Sequence, residues 1–258
     1  MKIFDSTTHP TLTGNWKTEK KIFKSSFKDL MKDMKRNNIT KSCAMGLDNF
    51  ENYKHAQFIN ECNKYKNLIP IAGLNPSVKN IKREVKKIKS LGFKGVKIHP
   101  RISKIYLEKN YFIKTLESLE KNNLVLMLCT YPFAKLGNNQ PNDFLGTIYK
   151  VFKKFRKLKT ILVHGGSVKV LEFAEFVRNN KENFLLDLSM TMQKYRGSSL
   201  DQDIKFLFKN FDERICIGSD YPEFSQNELI KCFKYYSKNI SKKKRENIAF
   251  NNLNNFFG

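Results

Sequence analysis

Short apolar or β-branched runs and stretches of helical period alternate along the whole chain, and this alternation limits the folds open to it. Strand-like runs are expected near 2–6, 41–45, 68–73, 92–98, 124–128, 160–163, 183–188 and 214–218. Between and after them, helical periodicity predicts helices near 26–37, 52–67, 79–91, 109–122, 143–156, 168–180, 199–210 and 227–237, with a last one over 242–255. Eight strands each followed by a helix fit a closed parallel sheet, so the expectation is an α/β chain forming a single (β/α)8 TIM barrel over residues 1–258. The competing arrangement is an open doubly wound sheet. It loses weight because no glycine-rich phosphate loop follows the first strand.

Composition narrows the partners. The formal charge is +24, which invites a nucleic-acid reading. However, 40 of the 48 basic residues are lysines and only 8 are arginines, and they are spread over the outer faces of the expected helices, as in residues 79–89. Asn, Ile and Phe are also abundant, so A/T-rich codons account for much of the bias. No RNA- or DNA-binding module is recognisable, so specific nucleic-acid binding is not expected, while a general attraction for small anions is. No apolar run approaches the length of a membrane span, and no leader-like segment precedes the first strand. A cytoplasmic protein without membrane contact is expected, with a homo-oligomer left open. Five cysteines with no C-x-x-C pair argue against a disulfide scaffold or a zinc finger. Cys43 and Cys216 read as core thiols, whereas Cys62 and Cys232 lie on expected helices.

In a barrel of this kind the chemistry gathers just beyond the C-terminal ends of the strands. Those ends carry Thr7 and His9, Gly46 and Asp48, Asn75, Lys97 with His99, Cys129 with Thr130, His164, Ser189 and Asp220. Three of the four histidines fall in this set. The fourth, His55, lies on the second helix and reads as a surface or packing residue. Lys97, His99 and Arg101 alternate along the fourth strand and its exit, so they should share a direction and offer a cationic cluster to a carboxylate or phosphate. An alternative gives Lys97 a structural ion pair with Asp5 or Asp187. Trp16 and Tyr131, after the first and fifth strands, could wall a small ligand or pack a lid.

At these positions the sequence resembles the amidohydrolase-related branch of the amidohydrolase superfamily, the relatives of aminocarboxymuconate semialdehyde decarboxylase. Asp5-Ser6-Thr7-Thr8-His9-Pro10 resembles the opening D-x-H-x-H element, and the segment from Gly92 to Pro100 resembles the fourth-strand segment. Leu162-Val163-His164-Gly165-Gly166 matches the sixth-strand His-Gly-Gly, and Gly218-Ser219-Asp220-Tyr221-Pro222 matches the eighth-strand signature. A looser match covers the C-terminal helix. The resemblance implies a metal site at the barrel mouth, with Asp220 as ligand and base. Two expected histidine ligands are replaced, one by Thr7 and the fifth-strand one by Cys129. The resemblance therefore implies a divalent ion, zinc by the chemistry of the donors, on His9, Cys129 and Asp220. The other outcome is a site that has lost its metal, with Cys129 as apolar filler.

These residues lead to the expectation of a hydrolase of small anionic esters, lactones or amides, with water activated near Asp220 and His164 as general acid or charge stabiliser. Lys97, His99 and Arg101 would bind the substrate anion. A decarboxylase of the same branch, or a non-catalytic barrel that binds a small anion or a partner, are the alternatives.

Overall fold

The computed structural model describes residues 1–133, 143–180 and 182–258. Its strands are β1 (Phe4–Thr8), β2 (Asn15–Lys17), β3 (Ile22–Lys24), β4 (Lys41–Met45), β5 (Leu68–Gly73), β6 (Gly95–Ile98), β7 (Val125–Cys129), β8 (Thr160–Val163), β9 (Phe184–Asp187) and β10 (Ile215–Cys216). Eight of them form one parallel sheet in the order β1-β4-β5-β6-β7-β8-β9-β10, and β2 with β3 forms a small antiparallel hairpin. Between strands run α1 (Phe27–Arg36), α2 (His55–Cys62), α3 (Ile81–Ser90), α4 (Asn110–Lys121), α5 (Phe144–Phe152), α6 (Val170–Asn179), α7 (Thr191–Lys194), α8 (Leu200–Asn210) and α9 (Gln226–Tyr236). The chain ends in α10 (Lys242–Glu246), a π-helical turn at Asn247–Asn251 and α11 (Asn252–Phe257). The expected eight-stranded TIM barrel is therefore what forms.

The helices follow from their apolar spacing, and some from a side-chain cap as well. In α3, Ile81, Val85 and Ile88 are buried at i, i+4 and i+7 among charged residues, and the Asn80 side chain accepts from the Arg83 N–H at the start. In α1, Phe27, Leu30 and Met34 face inward behind a capping box made by Ser26 and Asp29. These stripes pack on the outward strand faces, so Val96, Ile98, Leu126, Leu128, Leu162 and Leu186 join the helices in the main core.

The inner faces make a second core. Phe4, Cys43, Met45, Ile71, Val125, Met127, Ile161, Val163, Leu185 and Cys216 fill the barrel, with Leu253, Phe250, Phe256 and Phe257 packed against them from the C-terminal segment. This alternation fixes the chemistry at the rim. Val125 and Met127 point inward, so Cys129 does too, and Lys97 stands in the same inner register opposite Met127.

The seam between β1 and β10 is the thinnest part of the barrel. It is joined by Ser6 N–H to the Ile217 carbonyl (3.0 Å), Asp220 N–H to Thr7 (2.9 Å) and His9 N–H to Tyr221 (2.8 Å). The buried Asp5 carboxylate reinforces it by accepting from the Ser219 N–H (2.8 Å), the Ser219 hydroxyl (2.7 Å) and the Gln226 amide (2.9 Å). Among the described residues, no helix is long and apolar enough to cross a membrane.

Candidate functional site

His9, Lys97, Cys129, His164 and Asp220 converge at the C-terminal mouth, and four of them are held by strands or by the first residue after one. His164 follows β8 directly with φ of 69°, and Asp220 has φ of 65°. Both are left-handed conformations that non-glycine residues rarely adopt. Gly165 and Gly166 continue the left-handed path at 56° and 72°. A Cβ on Gly166 would run into the Phe173 ring, so glycine is required there on both counts.

His9 and Asp220 face one another. His9 Nε2 lies 3.6 Å from Asp220 Oδ1, and His9 Nδ1 lies 3.4 Å from the Met45 carbonyl. Because a carbonyl only accepts, Nδ1 carries the hydrogen in the neutral ring and Nε2 presents its lone pair to Asp220. Burial, aided by the Lys97 and His164 charges, outweighs Asp220 and keeps His9 below the ordinary histidine value. For Asp220 the order reverses. Burial would raise it, but His164, His9 and Lys97 together hold its carboxyl well below the usual carboxylate range. The Trp16 ring packs on His9 with centroids 4.9 Å apart, and its Nε1 donates to Glu223 at 3.0 Å. Trp16 is thus a wall against the site.

A second group surrounds Cys129. Its sulfur lies 3.4 Å from His99 Nε2, and the His164 imidazole is near enough to act on it electrostatically. His99 Nδ1 accepts from the Ile102 N–H at 3.3 Å, so in the neutral ring Nε2 bears the hydrogen and donates toward sulfur. His164 Nδ1 sits 3.1 Å from the Ser189 carbonyl and donates to it, which turns Nε2 to the thiol side. Burial would raise the Cys129 thiol, but His99 and His164 override it and bring it well below the ordinary thiol value. Burial would lower His164, yet Asp220 and Cys129 outweigh it and raise the imidazole.

Among the described residues Lys97 has no ion pair, and its buried ammonium has no hydrogen-bond partner. The structural pairing with Asp5 or Asp187 does not form. Asp5 is taken by Ser219 and Gln226, and Asp187 accepts from the His164 and Ser189 N–H groups and from the hydroxyls of Ser6 and Ser189. The Lys97 charge instead acts on His9, His164 and Asp220 together. Farther out, the Arg101 guanidinium lies 5.4 Å from the Tyr131 ring centroid, and Lys194 donates to the Tyr131 hydroxyl at 2.9 Å. Among the described residues, Arg101 Nε and Gln193 Oε1 are also buried without hydrogen-bond partners. Gln193 and Lys194 on α7 carry no signal in the sequence, because a four-residue helix has no readable period. His55 proves to be a packing residue, set between the Gly73 carbonyl (3.0 Å) and Glu84 (3.2 Å).

The donors do not close around one ion. His9 pairs with Asp220, Cys129 with His99 and His164, and the Thr7 hydroxyl is directed to Asp187 at 3.4 Å. Among the described residues, no three His, Cys, Asp or Glu side chains are gathered for a metal, and the ammonium of Lys97 already supplies positive charge there. As arranged, these residues do not fit a resident divalent ion.

The model of the Amidohydrolase family matches residues 51–248. No curated protein matches the chain. Among solved structures, an uncharacterised TIM-barrel protein from Bordetella bronchiseptica is similar at a TM-score of 0.80 and 16% identity, over 99% of this chain and 98% of that one. A probable 2-pyrone-4,6-dicarboxylic acid hydrolase from Acinetobacter baumannii, with citric acid bound, aligns over all of both chains at 0.71 and 17%. An amidohydrolase from Burkholderia multivorans with bound zinc aligns over 100% and 99% at 0.73 and 11%. At these identities the likeness is one of fold, whereas the family model covers most of the sequence. Because the family model covers residues 51–248, well over half of the sequence, this chain belongs to the Amidohydrolase family.

Proposed function

We propose that this protein is a hydrolase of a small anionic ester, lactone or amide, in which His9 and Asp220 activate water and Lys97 provides the cationic charge. The observation that carries this reading is the buried, unpartnered Lys97 ammonium among His9, His164 and Asp220. A buried charge without a partner is costly, and an anionic substrate or a developing oxyanion would compensate it.

The gap between His9 Nε2 and Asp220 Oδ1 is too long for a direct hydrogen bond. It suits a water that donates one hydrogen to each, leaving its lone pair for the acyl carbon. Sequence reasoning gave the proton to Asp220. A carboxyl held so far down is a weak base, so the proton passes to neutral His9 and Asp220 orients and stabilises it. Asp220 and Cys129 raise His164 above the ordinary histidine value, which favours its imidazolium as the acid that protonates the leaving group. Arg101 and Lys194, beside Tyr131, favour a second carboxylate at the outer rim. The hydrolase from Acinetobacter, whose substrate name is a cyclic dicarboxylate, supports lactones of that class as first candidates.

The test is hydrolysis of 2-pyrone-4,6-dicarboxylic acid and a panel of small dicarboxylate lactones and esters, with and without chelator. Chelator should leave kcat and kcat/KM unchanged, and Asp220→Asn should lower kcat by about 10²- to 10⁴-fold. Turnover that needs added zinc and disappears with chelator would restore the ligand set of His9, Cys129 and Asp220. Release of carbon dioxide in place of hydrolysis would assign a decarboxylase.

A further inference from the structure

Cys129 is built into the site in a way that neither an apolar filler nor the water-activating pair accounts for. The protein carries its own contrast. Cys43 and Cys216 lie inside the same barrel, and burial pushes both thiols well above their ordinary value. Cys129 stands at the top of the same inward register but meets His99 Nε2 at 3.4 Å, with the His164 imidazole near enough to act on it electrostatically. Both rings are oriented by hydrogen bonds at their far nitrogens. The Ile102 N–H fixes His99 so that Nε2 donates to sulfur, and the Ser189 carbonyl fixes His164 so that its Nε2 can take a proton. The unpartnered Lys97 ammonium stands on the neighbouring strand, in register one inner position below Cys129. A sulfur with an imidazole donor in contact, a second imidazole near it and a cation on the neighbouring strand is the arrangement of an activated nucleophile.

We infer that Cys129 is the nucleophile that first takes the acyl group of the substrate, forming a thioester that the water held by His9 and Asp220 then hydrolyses. This rests on the hydrolase reading and adds a covalent step to it. The thiol proton moves to His164, and sulfur attacks the acyl carbon. The carbon–sulfur bond forms, the carbon–oxygen or carbon–nitrogen bond of the substrate breaks, and His164 returns the proton to the departing oxygen or nitrogen. Water then adds to the thioester as its proton passes to His9. The carbon–sulfur bond breaks, the acid is released, and the proton on His9 returns to the sulfur. The net change is addition of one water, with no oxidant or reductant involved.

The experiment uses the 4-nitrophenyl monoester of succinic acid with the wild type, Asp220→Asn, Cys129→Ala and Cys43→Ser. In Asp220→Asn the second step is slowed. One equivalent of nitrophenolate should appear in a burst, and peptide mass spectrometry should find a hydroxylamine-sensitive succinyl group on Cys129. Cys129→Ala should lose the burst and at least about 100-fold of kcat/KM, and Cys43→Ser should behave as wild type. Wild-type turnover with no adduct in Asp220→Asn, and Cys129→Ala within about tenfold of wild type, would overturn the covalent step and leave the hydrolase reading intact. Acylation of Cys129 without turnover of any substrate would overturn the hydrolase reading and keep the nucleophile. Neither acylation nor turnover in the wild type would overturn both.

Discussion

At the residue scale, Lys97 shows how one side chain can be unfavourable for folding and favourable for chemistry. It is 2% exposed and has no hydrogen-bond partner among the described residues, while the carboxylates of Asp5 and Asp187 are committed to other donors. Removing an uncompensated buried charge relieves a desolvation penalty. Lys97→Met, close in volume, should therefore unfold no more easily than wild type and should gain on the order of 1 kcal/mol in urea unfolding. The same variant should lose about 100-fold or more of kcat/KM on anionic substrates, because the charge that meets the oxyanion or carboxylate is gone. A clear loss of stability in Lys97→Met would mean that the ammonium is structurally paired. The sequence indicated that Lys97, His99 and Arg101 share a direction, because alternation along a strand is local. It could not indicate that the carboxylates of Asp5 and Asp187 are unavailable, because their partners lie in distant parts of the chain.

At the element scale, the turn from β8 into α6 decides whether His164 reaches the site. His164, Gly165, Gly166 and Ser167 all have positive φ, and Gly166 is also pressed against Phe173. Gly166→Ala should cost about 2–4 kcal/mol, combining left-handed strain with overpacking. Gly92 has φ of 98° but open space around its Cα. Gly92→Ala should cost only the backbone part, about 1 kcal/mol. Thermal unfolding of the two variants checks this, and equal losses would show that the Phe173 contact is not felt. The His-Gly-Gly string was legible as a strand exit. The short α7 helix was not, and with it went Lys194, whose role depends on Tyr131 some sixty residues away in sequence, and Gln193, whose amide donates to the Gly218 carbonyl.

At the scale of the whole molecule, closure of the barrel rests on the seam between β1 and β10, where the sheet ladder is short and Asp5 supplies side-chain bonds. Burial dominates the titration of Asp5 and, despite the bonds from Ser219 and Gln226, raises it from 3.8 to about 6. A carboxyl with a raised folded value binds its proton more tightly in the folded state. Its contribution to stability is therefore highest below the unfolded value, falls as pH rises toward about 6 and is level above that. Relative to Asp5→Asn, the wild type should lose about 3 kcal/mol of stability between roughly pH 4 and pH 7. Urea unfolding of both proteins across that range is the measurement, and parallel curves would show that Asp5 does not titrate between those limits.

The sequence by itself determined the barrel, because strand and helix periods are local and their strict alternation admits few packings. It also placed His9, Lys97, Cys129, His164 and Asp220 at strand ends, and strand ends of a parallel barrel meet at one mouth. Only the tertiary structure decided how these groups pair. Whether Cys129 joins His9 and Asp220 around an ion or stands between His99 and His164 depends on side-chain directions set by the inner register and by bonds from Ile102 and Ser189. Whether Lys97 is neutralised depends on which distant hydroxyls and amides reach Asp5 and Asp187 first. Such choices are made across the barrel by contacts far apart in sequence, and no local pattern encodes them.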